Sequence, residues 1–156
     1  MEDIHGKAHF LKHDYTRTLS QLDVNAQHMW GKMNVQQMIE HMTEYVQIAS
    51  GRKPMSVVTP EDKIPRMQAF LQSEKPFQEN TPNVLMPDTP TDAKHATKEA
   101  AIAELQQDID HFFEVYGYDP AKKIANPFFG ELDKDMQVQL LHKHAIHHLR
   151  QFGVMA

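Results

Sequence analysis

The feature that most constrains this chain is the recurrence of its apolar residues at helical spacing, every three or four positions. The clearest case runs from Val35 to Ser50, where Asn34 and Gln37 have the spacing of a capping box and Gly51 supplies a stop signal. No stretch of six residues alternates cleanly between apolar and polar side chains, as a half-buried strand would. The sequence therefore predicts an all-α fold.

Three further segments show the same periodicity. Gly117 is expected to end the third helix, whereas Asp133 and Gly153 have the residue types that begin and end the fourth. In addition to the helix at Val35–Ser50, the sequence predicts helices over about residues 7–21, 96–116 and 134–152.

A proline-rich stretch separates the second and third helices. Seven of the nine prolines lie between Pro54 and Pro90, so this part of the chain cannot form one long helix. We expect an irregular crossover with one short helix near residues 66–73. A connection of this length lets the second and third helices run parallel. The sequence thus predicts a four-helix bundle with one long crossover between helices two and three.

Composition narrows the classes of function. The chain has 156 residues, no cysteine and a formal net charge of −5. The acidic balance argues against nucleic-acid binding, and the lack of cysteine excludes disulfides, thiolate metal sites and a cysteine nucleophile. Met1–His5 shows no secretory signal, and the longest apolar run, Ala100–Ala103, is too short to span a membrane. We therefore expect one soluble, cytoplasmic domain over residues 1–156.

Two of the 11 histidines stand out by their spacing. His144 and His148 are four apart in the fourth predicted helix, so their side chains lie on one face, one turn apart. Two imidazoles at this spacing can hold one metal ion. The same pair also arises by chance on the polar face of a surface helix, so the spacing alone leaves both interpretations open.

A third candidate ligand is His41, on the apolar stripe of the second helix between Met38 and Tyr45. A half-buried histidine there needs a hydrogen-bond partner or a metal ion, and an isolated one is more often a satisfied core residue. Facing helices that contribute one and two histidines would build a three-histidine site. Three protein ligands leave a coordination position open, as in catalytic metal sites.

Two blocks of the sequence resemble a known family. Their order and spacing are similar to those of the DinB/YfiT-like superfamily of four-helix metalloproteins, and most similar to a DinB-like branch of bacterial proteins. Residues 54–90 carry no part of this resemblance. The blocks are WGKMNVQQMIEH at residues 30–41, and NPFFGEL at 126–132 followed by KHAIHHLRQFG at 143–153.

The resemblance implies a four-helix bundle with a crossover and a divalent metal ion held by His41, His144 and His148. Relatives include metal-dependent hydrolases, thiol S-transferases and a thiol-using isomerase, so it implies a metal-dependent hydrolase or small-thiol transferase acting on an unknown small molecule. Zinc or nickel is the expected ion, and an external low-molecular-weight thiol is a further cofactor that the resemblance allows. A non-enzymatic metal-binding or stress-response protein, or a helical interaction module, is the alternative.

His147 and Gln151 are candidates for contacts just outside the ligands. His147 is about 100° around the helix from His148 and should not bind the same ion. A supporting contact, a substrate contact and solvent exposure stay open for it. Gln151 lies one turn beyond His148, where it could hydrogen-bond a ligand imidazole or form a polar helix end.

His5, His9 and His13 also recur every four residues. In a helix they would form a ladder that is either an exposed stripe or a second metal site. Glu40 and Glu44 are the nearest carboxylates for a general base, although both positions are usually solvent-facing.

A homodimer is expected from the family resemblance and from two apolar residues away from the ligand face, Ile146 and Leu149. At Ile146 a more polar residue is expected in relatives. No nucleic-acid or membrane partner is expected. Phe128 and Phe129 are predicted either to line a pocket or to plug one end of the bundle.

Overall fold

Helices make up most of the regular structure in the described residues, 1–79 and 90–154, of this computed structural model. Two pairs of helical segments are nearly continuous, because a π-helical turn at Phe10–Asp14 joins α1 to α2 and a 3-10 turn at Glu61–Lys63 leads into α4. The helices are α1 Ile4–His9, α2 Tyr15–Gln21, α3 Val35–Ser50, α4 Ile64–Gln72, α5 Lys98–Tyr118 and α6 Lys134–Gln151.

Helices α3 and α5 run parallel. Near their amino-terminal ends the Gln36 side chain donates to the carbonyl of His95. At the other end the Tyr116 hydroxyl donates to the carbonyl of Ala49 over 3.1 Å. The predicted bundle with a long crossover between its second and third long helices is therefore confirmed.

Helices α2 and α6 run antiparallel to α3 and α5. The Lys98 ammonium, at the start of α5, donates to the carbonyl of Leu22 just after α2 ends. The backbone N–H of Met29, before α3, donates to the carbonyl of Gln151 at the end of α6 over 2.7 Å. His41 in mid-α3 accordingly faces the second half of α6.

The boundaries of α3 match the prediction, and its capping box forms as expected. The Asn34 side chain accepts from Gln37 N, the Gln37 side chain accepts from Asn34 N, and Gly51 has a φ of 81°. The prediction that Gly117 ends the third helix is wrong, because α5 continues to Tyr118. A glycine inside a helix costs only about 1 kcal/mol relative to alanine, which the packing of this long helix overrides.

A small antiparallel hairpin was not predicted. Strand β1, Ile124–Asn126, pairs with β2, Gly130–Leu132. Each strand has three residues, which is too short for an alternating pattern to show in the sequence. The Asn126 side chain accepts from the backbone N–H groups of Phe128 and Phe129, which folds the connecting turn.

The core has two parts. The main cluster fills the space between the long helices, with Met38, Leu105 and Phe112 fully buried. A smaller cluster packs α4 and the hairpin on the first half of α6, and it includes Leu71 and Phe129. The Phe128–Phe129 pair therefore plugs this end of the bundle.

Among the described residues, no helix combines the length and the apolar character that a membrane crossing requires.

Candidate metal centre

Three histidine side chains from two helices meet in the bundle. One potential ligand atom from each of His41 on α3 and His144 and His148 on α6 lies within 4.8 Å of the others. The Nε2 atoms of His41 and His144 are 3.1 Å apart. Within residues 1–79 and 90–154, no other group of three histidines or carboxylates converges in this way. The structure thus brings together the three histidines singled out from the sequence.

Burial keeps these imidazoles neutral near pH 7. His41 is 9% exposed and His148 is 5% exposed. Burial is the main cause that lowers the pKa of His41 to about 4 and that of His148 to about 3. Burial, followed by the nearby His148 and His41, also lowers the pKa of His144. Neutral imidazole is the form that binds a metal ion, so the cluster is ready for binding without losing protons.

The hydrogen bonding of His148 fits a metal ligand. Its Nδ1 lies 2.8 Å from Gln151 Oε1, an atom that can only accept, so Nδ1 carries the proton. Its Nε2 is therefore an acceptor, and this buried atom has no hydrogen-bond partner. Leaving a buried acceptor unsatisfied costs about 1–3 kcal/mol, which a bound cation would offset. The donor set and its unpaired nitrogen fit a divalent ion.

The spacing of the cluster also fits. Zinc–imidazole bonds of about 2.0–2.1 Å in a tetrahedral arrangement put neighbouring ligand nitrogens about 3.3 Å apart. The 3.1 Å between the Nε2 atoms of His41 and His144 is close to that separation. This pair therefore already has the separation that a shared ion requires, and the ligand atom of His148 lies within 4.8 Å of both.

Gln151 holds His148 from the far side. Its Oε1 accepts from His148, and its Nε2 donates to the carbonyl of Trp30 over 2.9 Å. Gly31 has a φ of 81°, and a Cβ there would lie 2.5 Å from Gln151 Nε2. The loop before α3 thus needs glycine at residue 31 to let Gln151 reach both partners.

Replacing Gln151 with leucine should weaken zinc affinity about 10–100-fold, since partners that orient a ligand histidine contribute this much in other metal sites. The leucine keeps the volume but frees the His148 ring to rotate or change tautomer. Competition with a chromophoric chelator measures the affinity. Gln107→Leu, on α5 and exposed, is the matched control and should bind like the unmodified protein. Equal affinities for both variants would contradict an orienting role for Gln151.

His147 is not part of the three-residue group. It is half-buried, and its ring packs 5.6 Å from that of Trp30 and 5.8 Å from that of Phe77, measured between ring centroids. It also makes a hydrogen bond to the backbone of Phe77. This half-buried, packed position does not fit simple solvent exposure, and it leaves a supporting contact or a substrate contact as the roles of His147.

Two aromatic residues pack on the cluster, and the sequence analysis gave neither a functional role. The Tyr45 ring lies 4.9 Å from that of His41 and 4.8 Å from that of His144. Its position four residues after His41 was an available signal. Phe77 lies 5.8 Å from His144. Phe77 sits in the irregular crossover, where no periodicity could have revealed it.

A cleft of about 280 Å³ borders the cluster at His41. Most of the residues that line it are of polar or charged types, and they include Gln37, Glu44 and Lys53. Glu44 is exposed and forms an ion pair with Lys53. Glu40 instead accepts from the backbone N–H groups that precede α5, so its carboxylate is occupied in fixing the crossover.

The amino-terminal histidines do not gather into a comparable site. His5, His9 and His13 are exposed. The rings of His9 and His13 are 4.7 Å apart, but no third ligand joins them among the described residues. These three histidines therefore form an exposed stripe, and the structure gives no support for a second metal site there.

Comparison with known proteins gives one match. The family model described as the DinB superfamily matches residues 11–152. No curated protein and no solved structure matches the chain. The matched range contains α3, α6 and all three histidines of the cluster.

Proposed function

The chain belongs to the DinB superfamily, and on that basis we propose that it binds one divalent metal ion through His41, His144 and His148 and acts as a metal-dependent enzyme. The observation that carries this proposal is the convergence of three imidazoles, with the Nε2 atom of His148 buried and otherwise unpaired. No hydrogen-bond donor among the described residues pairs with that nitrogen atom.

When bound, such an ion acts as a Lewis acid and lowers the pKa of a water or thiol that it coordinates. Three protein ligands leave room for that molecule. Zinc and nickel both suit imidazole ligands. On the protein side, Gln151 fixes the His148 tautomer, while Tyr45 and Phe77 cover the histidine rings and limit the access of water.

The cleft beside His41 supports an enzyme over a metal-buffering protein, because it gives a small molecule a route to the cluster. The proposed reaction is a hydrolysis or a transfer from an external small thiol. The chain has no cysteine, so a thiol would have to come from a second molecule.

The test begins with metal analysis of protein prepared without an affinity tag. We expect one zinc or nickel ion per chain, with three nitrogen ligands and at least one water-derived ligand by X-ray absorption spectroscopy. Loaded protein is then assayed for ester and amide hydrolysis and for thiol transfer to small electrophiles. A fourth protein ligand, or a loaded protein inactive in both screens, would favour the non-enzymatic alternative. Absence of any bound ion would favour the interaction module.

We further propose a homodimer. The support comes from two exposed apolar residues, Met29 in the loop before α3 at 72% exposure and Val154 after α6 at 39%. A Cβ at Gly153 would lie 3.8 Å from Met29 Sδ, so Met29 lies close to the residue that precedes Val154. Leu149, part of the original reason for expecting a dimer, is fully buried in the core and has no surface to offer a second chain.

Light scattering at micromolar concentration should give twice the chain mass of 18.0 kDa. Met29→Lys should shift the population towards the monomer, because it places a charge in the proposed contact. Val24→Lys is the control, because Val24 is also apolar and is 46% exposed, and it should not shift the population towards the monomer. A monomer mass for the unmodified protein would overturn this proposal.

A further inference from the structure

A second cavity, of about 180 Å³, lies along a different face of α6. Lys143, His147 and Arg150 line it from that helix. Lys7 of α1 and Lys75, just after α4, line it from the other side. The cavity is therefore rich in basic side chains, although the chain as a whole has a net charge of −5.

Only one of these positive charges is neutralised nearby. The Lys7 ammonium forms an ion pair with Glu74, which also lines the cavity. The hydrogen bond from Lys7 is the main cause that lowers the pKa of Glu74 to about 2, so this carboxylate stays ionised. In the part of the chain that the structure describes, Lys75, Lys143 and Arg150 form no ion pair.

Two of these cations, Lys143 and Arg150, also have N–H groups that no hydrogen-bond acceptor in the described residues fully occupies. Lys143 is 8% exposed, and its ammonium donates to the carbonyls of Ser73 and Lys75 and lies 4.8 Å from the centroid of the Phe70 ring, so at most one of its three N–H bonds remains for a ligand. The Nε of Arg150 is buried and has no hydrogen-bond partner. A buried cationic donor without a partner is unfavourable, and an anion beside the Arg150 guanidinium would be the partner that it lacks.

We propose that this cavity binds the anionic group, a carboxylate or a phosphate, of a small molecule. Its volume lies below the roughly 300–1,000 Å³ of pockets that enclose whole ligands, so it suits one charged group. His147 separates the cavity from the metal centre, and its ring is 5.1 Å from that of His148. Among the described residues, the cavity shares no lining residue with the cleft beside His41, so this anion site goes beyond the proposed function and does not depend on it.

The recessed position of Lys143 disfavours a macromolecular partner. An acidic protein or a nucleic acid is held by exposed basic side chains across a broad surface. Here the central ammonium is anchored by two backbone carbonyls, and Lys143 is only 8% exposed.

The experiment is a titration of the full-length protein with inorganic phosphate and, separately, with succinate, followed by amide NMR shifts at fixed ionic strength. Saturable binding of at least one anion is expected, and the two arms distinguish phosphate from carboxylate. Arg150→Gln should weaken binding at least tenfold. Lys75→Gln changes an exposed side chain without a structural role, and it should also weaken anion binding.

Arg66→Gln, which removes one exposed positive charge elsewhere, is the matched control and should change affinity less than twofold. Repeating the titration with His144→Ala separates this site from the metal centre. Anion binding that survives in His144→Ala supports the cavity even if no metal is found. Loss of binding in His144→Ala, equal effects of Arg150→Gln and Arg66→Gln, or no saturation would each overturn the proposal.

Discussion

Replacing His144 with alanine should release the metal ion, while replacing the nearby His147 should leave it bound. His144 is close to both other ligands, with its Nε2 3.1 Å from that of His41 and its ring centroid 4.7 Å from that of His148. Because changes to a residue that only orients a ligand already cost about 10–100-fold in affinity, loss of the ligand itself should cost more than about 100-fold.

Elemental analysis after gel filtration and chelator competition measure the effect. His41→Ala and His148→Ala should behave like His144→Ala. His147→Ala is the matched control, since it removes an imidazole from the same helix and leaves the three-residue group intact. If His147→Ala lost the ion and His144→Ala kept it, the assignment of the ligand face on α6 would be wrong.

The ligand variants should still fold. The main core cluster is built from side chains such as Leu105 and Phe112 that are fully buried without help from the histidines. Burying one such side chain contributes about 1.5–3 kcal/mol. Loss of metal in these variants therefore reports on the site and not on unfolding of the bundle.

Most of the fold could be predicted because its signals are local. Asn34, Gln37 and Gly51 define the ends of α3 through contacts within a few residues, and the structure has those contacts. Gly117 misled the prediction because its cost inside α5 is small beside the packing of a 21-residue helix. The hairpin was missed because its pairing depends on the Asn126 turn and not on a repeated pattern.

The candidate site likewise has some features that local sequence patterns predict and others that depend on tertiary packing. The spacing of His144 and His148 follows from helix geometry, and His41 could be added because its helix and its apolar neighbours were visible in the sequence. Phe77 and the basic cavity depend on how the irregular crossover returns to α6, which no local pattern encodes. The unpaired Nε2 of His148 is likewise visible only once the Gln151 bond is known.

The stability of the protein should depend on pH through the same histidines. In the metal-free fold the pKa of His41 is about 4 and that of His148 about 3, below the value near 6.5 of an unfolded chain. Between these values the unfolded chain binds more protons than the folded one. Stability is therefore full above about pH 6.5 and falls as the pH drops towards 4 and then 3. The His41 shift alone is worth about 3 kcal/mol.

A bound ion strengthens this dependence, because protons and the metal compete for the same nitrogen atoms. At pH 7.5, zinc at about 100 times its dissociation constant should add about 2.7 kcal/mol, or roughly 5–10 °C in melting temperature. At pH 4, where His41 of the metal-free fold takes up a proton, the difference between loaded and chelator-treated protein should shrink. Thermal melting of the unmodified protein and His144→Ala, with and without chelator at both pH values, measures it. Chelator should not change the melting temperature of His144→Ala. If the unmodified protein and His144→Ala, each with and without chelator, all melted at the same temperature at pH 7.5, no ion would be tightly bound. That result would favour the interaction module.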